Sequence, residues 1–193
     1  MELEKGVFRR IAMDMEHTLQ MFEKLKHVSV NVTGTTIQKD EFEDFLVTLN
    51  EEYPGVCQHI LIEITEQAAL RIDSLFIEKL SRLRELGYSF GIDDFSMGNT
   101  SIKYLQSNAF CMVKLDGEIC KDILNNERSK EIIASIAHLT QELGIDVLAE
   151  YVETEQQRQA LEEVGCYLYQ GYLYSPAITM ESFYDKVKDE GEA

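Results

Sequence analysis

The sequence predicts an α/β fold built on a parallel sheet, and three observations carry that expectation. Helix-period and strand-like segments alternate along the 193 residues, apolar and polar side chains alternate within the strands, and no Pro/Gly-rich linker or low-complexity stretch breaks the series. One domain over residues 1–193 is the economical reading. Strands separated by helices leave two architectures, an open doubly wound sheet and a (β/α) barrel.

Residues 4–26 place Phe8, Ile11, Met15, Leu19, Phe22 and Leu25 at steps of three and four, an amphipathic helix. A strand follows at 28–32. Asp40, with Glu43 three residues on, has the form of a capping box opening a helix that buries Phe42, Phe45, Leu46 and Leu49. The strand 59–65 precedes a helix over 67–86 with Ile72, Leu75, Phe76, Leu80, Leu83 and Leu86 on one face and Gly87 as its C-cap. Next come the strand 88–93, a helical turn holding Ile102 and Leu105, and the strand 111–115. A helix over 128–143 presents Ile132, Ile133, Ile136 and Leu139, Gly144 stops it, and 146–151 reads as strand. A helix over 154–164, a strand over 166–172 and a last helix over 180–189 complete six strands.

Lys and Arg number 18 against 35 Asp and Glu, a formal charge of −17. Apolar residues at 45% and charged ones at 27% fit a packed core rather than a disordered chain. The negative field excludes nucleic-acid polymers and anionic membranes as partners of the bare surface, while a small phosphorylated ligand stays open if a metal supplies positive charge. No apolar run reaches the roughly 18 residues of a membrane span, so no membrane insertion is expected. Glu2, Glu4 and Lys5 open the chain unlike a secretory signal, and a cytoplasmic protein is expected. Cys57, Cys111, Cys120 and Cys166 lack zinc or redox spacing and read as buried thiols.

Parity within the strands points to a site. Val28, Val30 and Val32 alternate with Ser29 and Asn31; Ile60, Ile62 and Ile64 alternate with Leu61 and Glu63. Val113 and Leu115 flank Lys114, Val147 and Ala149 alternate with Leu148 and Glu150, Leu168 shares a face with Gln170, and Asp93 and Asp94 close the strand 88–93. Each strand thus carries a polar or ionised residue near its C-terminal end: Asn31, Glu63, Asp93, Asp94, Lys114, Glu150 and Gln170. A carboxylate in a packed lumen is costly unless paired or bound to metal. Oxygen and nitrogen donors without Cys or His favour Mg²⁺ or Mn²⁺, and two such ions suit phosphodiester hydrolysis. Taken singly, Asp94 also reads as an N-cap and Lys114 as a counter-ion to a lumen carboxylate.

Six segments in order carry a resemblance: VSVNVT at 28–33, IEITE at 62–66, IDDFSMGNTSIKYL at 92–105, VKLD at 113–116, LAEYVET at 148–154 and YQGYLYSPA at 169–177. They resemble the EAL domain family, bacterial phosphodiesterases that linearise cyclic di-GMP. The resemblance implies a TIM-type barrel, a two-metal Mg²⁺ or Mn²⁺ site, and hydrolysis of cyclic di-GMP to pGpG. It makes Asn31, Glu63, Asp93 and Glu150 metal ligands, with Asp94 reaching the second metal. Lys114 orients or activates the attacking water, Glu150 shares the general-base role, Glu66 and Glu153 brace the loop after Asp94 and the surroundings of the site, and Gln170 holds the water or a metal-bound oxygen.

The sequence departs from the family pattern twice. No Glu-Ala-Leu copy occurs, and with it are expected to be missing a metal-binding Glu, a phosphate-binding Arg and two of eight strands, which implies an N-terminally truncated barrel with impaired turnover. Ser96, Met97, Gly98 and Asn99 replace the family's Gly-Thr-Gly-Tyr loop, which couples metal binding to dimerisation. An open barrel flank predicts a homodimer. The alternative function is a catalytically degenerate module acting in cyclic di-GMP binding or protein–protein interaction.

Overall fold

Strands with one apolar face and helices with one apolar stripe leave water together only when the helices pack over the sheet. The structure is a computed structural model and describes residues 1–18, 25–65, 73–95 and 101–191. Its strands are β1 (Val28–Asn31), β2 (Ile60–Thr65), β3 (Ser89–Phe95), β4 (Met112–Leu115), β5 (Asp146–Ala149) and β6 (Leu168–Tyr169). All neighbours are parallel, and their order in space is their order in the chain. A doubly wound sheet reverses its order at a switch point; this one never does, and it forms a curled half-barrel with β1 and β6 at its edges.

The helices are α1 (Glu2–Thr18), α2 (Gly34–Ile37), α3 (Asp40–Glu52), α4 (Ser74–Glu85), α5 (Ser101–Gln106), α6 (Gly117–Lys121), α7 (Glu127–Glu142), α8 (Glu155–Glu163) and α9 (Met180–Gly191). The core lies between them and one face of the sheet. Val30, Ile60, Ile62, Ile64, Phe90, Ile92, Val113, Leu115, Val147 and Ala149 meet Phe8 and Met15 of α1, Phe42, Leu46 and Leu49 of α3, and Leu80 and Leu83 of α4. Leu61 and Met112, of opposite parity, are buried on the other face, outside that cluster. The strand parity read from the sequence is therefore the one the fold uses.

Several element details differ from the sequence expectation. Lys39, not a capping box at Asp40, is the N-cap of α3, without a side-chain cap. Asp40 instead accepts a hydrogen bond from Lys79 Nζ at 2.8 Å, because Lys79 is buried on α4 and requires a counter-charge. The 67–86 helix is described from Ser74, where Asp73 caps it by accepting from Phe76 N at 2.9 Å, and Leu75 is exposed rather than on the buried face. On α7 the buried stripe is Ser129, Ile133, Ile136, Ala137 and Thr140, so Ile132 and Leu139 lie at its exposed margin. The buried Thr140 hydroxyl donates to the Ile136 carbonyl at 2.8 Å, which satisfies it without an outside partner. Three of the cysteines are buried thiols, and Cys111 is half-buried.

One contact ties α1 to the end of β1. Glu4 accepts from Thr36 Oγ1 at 2.7 Å and from Thr33 N and Oγ1 at 3.2 and 3.1 Å. Burial opposes its charge, but the hydrogen bonds from the N-terminal ammonium, Thr36 and Thr33 prevail and hold the carboxyl at about 2, below 4.5. Its stabilisation is complete above about pH 4.5 and is lost as the pH falls toward 2. Glu4→Gln is expected to lower stability by about 1 kcal/mol at pH 7, a partly solvated contact, with the difference vanishing near the acid end of a Tm-against-pH series.

Candidate active site

The strand ends converge as the parity predicts. Asn31 at the end of β1 stands in register with Glu63 of β2, and Thr65 of β2 with Asp93 of β3. Lys114 lies one residue from the end of β4, and Glu150 directly follows β5.

Between β3 and β4 the register shifts: Ile92 pairs with Val113 and Phe95 with Leu115, so Asp93 and Asp94 together oppose Lys114 alone. This is a β-bulge, and Asp94 takes it up with φ of 54°. In a regular strand two consecutive residues face opposite sides. The bulge lets both aspartates serve one mouth, which their adjacency in the sequence did not disclose.

Lys114 is the centre of the cluster. Its Nζ stands 3.1 Å from Glu63 Oε2, 3.2 Å from Asp93 Oδ1 and 2.7 Å from Glu150 Oε1, with the Lys114 side chain 5% exposed and that of Glu63 2%. Burial disfavours the ammonium, but its hydrogen bond to Glu150 and the charges of Glu63, Asp93 and Glu150 outweigh it, so the lysine titrates above its ordinary value. Burial, then the neighbouring Asp93 and Asp116, pushes Asp94 up. Glu150 is also pushed up by burial, against the pull of Lys114.

The donor set fits a hard divalent cation. Carboxylate oxygens of Asp93, Asp94 and Glu150 all lie within 4.8 Å of one another. Four carboxylates, Glu63, Asp93, Asp94 and Glu150, face one lysine, a local charge of 1 − 4 = −3. Glu63 Oε1 is buried without a hydrogen-bond partner, an acceptor left over after Lys114 has been served. Oxygen donors with surplus negative charge select Mg²⁺, Mn²⁺ or Ca²⁺ over softer metals.

The remaining candidates fall further out. Gln170 continues the β5–β6 ladder, its N donating to Ala149 O at 2.9 Å, and its side chain is exposed. Glu153 is exposed where α8 begins, its N donating to Gln157 Oε1 at 2.9 Å. Asn31 is exposed at the end of β1. Glu66 and the loop residues Ser96, Met97, Gly98 and Asn99 lie outside the described residues. Two residues of the mouth escaped the sequence reading. Asp116 caps α6, accepting from Glu118 N at 2.8 Å, while its charge acts on Asp94; the VKLD segment was its signal. Tyr151 follows Glu150 with φ of 57°, and the LAEYVET segment was its signal.

The EAL domain profile matches residues 2–177, and the chain belongs to the EAL domain family. It is 34% identical over 186 residues to the cyclic di-GMP phosphodiesterase NbdA of Pseudomonas aeruginosa, covering 94% of this chain and 24% of NbdA. The structure of the EAL enzyme Bd1971 with cAMP and cyclic di-GMP matches with a TM-score of 0.88 at 27% identity, over 97% of this chain and 52% of that one. BlrP1 of Klebsiella pneumoniae, solved with calcium and cyclic di-GMP, matches with a TM-score of 0.74 at 26% identity, over 89% of this chain and 42% of that one. The chain spans 20–41% of the length of the first curated relatives it matches. Phosphodiesterases of this family depend on divalent metal. Among the described residues no helix is long and apolar enough to cross a membrane.

Removing the lysine while keeping its volume tests the cluster. Lys114→Met is expected to lower stability by about 3 kcal/mol or more, because Glu63 is left buried without a counter-charge; urea denaturation reads the loss. Added Mn²⁺ is expected to raise the Tm of the wild type, by about 2.7 kcal/mol of stability at a hundredfold excess over its dissociation constant, and to raise it far less in Asp94→Asn.

Proposed function

We propose that residues 1–193 form one EAL-type domain, and that it is a metal-dependent phosphodiesterase hydrolysing cyclic di-GMP to linear pGpG. The observation that carries the reading is the mouth itself: Lys114 at 2.7–3.2 Å from three carboxylates, beside three carboxylate groups gathered within 4.8 Å. Structural ion pairs satisfy one cation with one or two anions; a surplus of −3 held at strand ends is charge kept for a ligand.

Asp93, Asp94 and Glu150 would hold one cation, and Asn31 and Glu63 would supply donors to a second, Mg²⁺ or Mn²⁺ in each case. Bound divalent ions supply Lewis-acid polarisation of a phosphoryl oxygen and a more acidic water. Lys114 orients the attacking water by donating to it, and Glu150, already hydrogen-bonded to Lys114, takes its proton. The water oxygen bonds to phosphorus as one P–O(ribose) bond breaks, the leaving ribose oxygen receives the proton that Glu150 took, and the ring opens to one linear dinucleotide. Glu66 and Glu153 brace the surrounding loops, and Gln170 holds the water in line. Among the described residues β1 and β6 each have one strand neighbour, an open edge that a second copy can cover, and the reading includes a homodimer.

The test is incubation of purified protein with cyclic di-GMP and Mg²⁺ or Mn²⁺, with pGpG followed by chromatography and mass by light scattering. Wild type is expected to turn over as a dimer, and Asp93→Asn to be slower by about 100-fold or more. Binding without turnover in the wild type points instead to a degenerate binding module.

A further inference from the structure

Tyr151 is the first residue past Glu150, and its φ of 57° is a conformation that strains a bulky side chain and costs glycine nothing. Its ring stays half exposed, and Lys121 Nζ stands 3.9 Å from the ring centroid, the geometry of a cation–π contact. Beneath the ring lies Gly117, where an added Cβ would overlap Cγ, Cδ2 and Cε2 of Tyr151. Two residue choices in two different segments, a bare backbone at the start of α6 and a strained aromatic after β5, therefore converge on holding one lysine.

That lysine differs from the one in the cluster. Lys114 is already shared by three carboxylates, whereas Lys121 is exposed and forms no ion pair among the described residues. Gly117 directly follows Asp116, whose charge acts on Asp94, and Tyr151 directly follows Glu150, so the ring spans the loops after β4 and β5 at the same mouth. An anionic ligand approaching a carboxylate-rich mouth on a chain of charge −17 needs a cation that is not already neutralised.

We propose that Lys121 contacts a phosphate of the bound cyclic dinucleotide, and that Tyr151 is the positioning residue that holds it there. This contact rests on the phosphodiesterase reading above. It makes substrate affinity depend on a pair outside the metal-compatible cluster, and it gives the strained Tyr151 backbone a purpose.

Calorimetric titration of the full chain with cyclic di-GMP in Ca²⁺, repeated at several ionic strengths, tests it. Lys121→Ala is expected to weaken binding about tenfold and to flatten its salt dependence, since one screened charge contact is gone. Tyr151→Gly relieves the strain and is expected to bind as poorly as Lys121→Ala; Gly117→Ala, which displaces the ring without substituting either partner, is expected to do the same. Tyr151→Phe keeps the π-face and is expected to bind like the wild type. Wild-type affinity and salt dependence in Lys121→Ala overturn the contact, and wild-type binding in both Tyr151→Gly and Gly117→Ala overturns the positioning role. A wild type that binds no cyclic di-GMP overturns the phosphodiesterase reading and this contact with it.

Discussion

A buried ammonium surrounded by carboxylates is the constraint on which the structure depends. Lys114 and Glu63 are both almost fully withdrawn from water, and each would be costly there without the other. Their attraction is useful only at hydrogen-bond distance, so β2 and β4 must present these side chains on the same face with β3 in register between them. Sequential parallel pairing supplies that register. The apolar opposite face, packed under α1, α3, α4 and α7, supplies the free energy that keeps the strands together against the repulsion of the unpaired charge.

The bulge at Asp93 and Asp94 converts this balance into a surplus of negative charge at the strand ends. Three carboxylates and one lysine come close to a closed ionic network. Bringing a fourth carboxylate to the same side, through a left-handed backbone at Asp94, leaves charge that the protein itself does not neutralise. Burial first, and the neighbouring carboxylates after it, raise the titration of Asp94 and Glu150, and a divalent cation has the charge and donor preference that match such a set.

The loops above the strands hold the mouth by local devices. Asp116 caps α6, Thr154 and Gln157 form a capping box at the start of α8, and Glu4 fastens α1 to Thr33 and Thr36 just past Asn31. At Gly171 an added Cβ would overlap the backbone of Val152, so the chain after Gln170 approaches the loop after Glu150 as only glycine permits. Elements distant in sequence are thereby fixed around the strand ends.

Much of this was legible in the sequence. Period-two alternation identified which face of each strand meets the helices, because burial of Val, Ile and Leu on one side leaves no other arrangement, and it set Glu63, Lys114 and Glu150 on the opposite face before any coordinates. Helix boundaries and stripes were less secure at Asp40, Leu75 and Ile132, where a distant lysine or the reach of a neighbouring helix decided what was covered. The chain by itself determined element order, parity and the identity of the charged set, since these follow from local periodicity. Local periodicity did not decide that order in space would follow order in sequence or that two adjacent aspartates would share one side, which only the six-segment resemblance implied, and Tyr151 lying on Gly117 beneath Lys121 was left to the tertiary structure, because each depends on contacts between residues far apart in the chain.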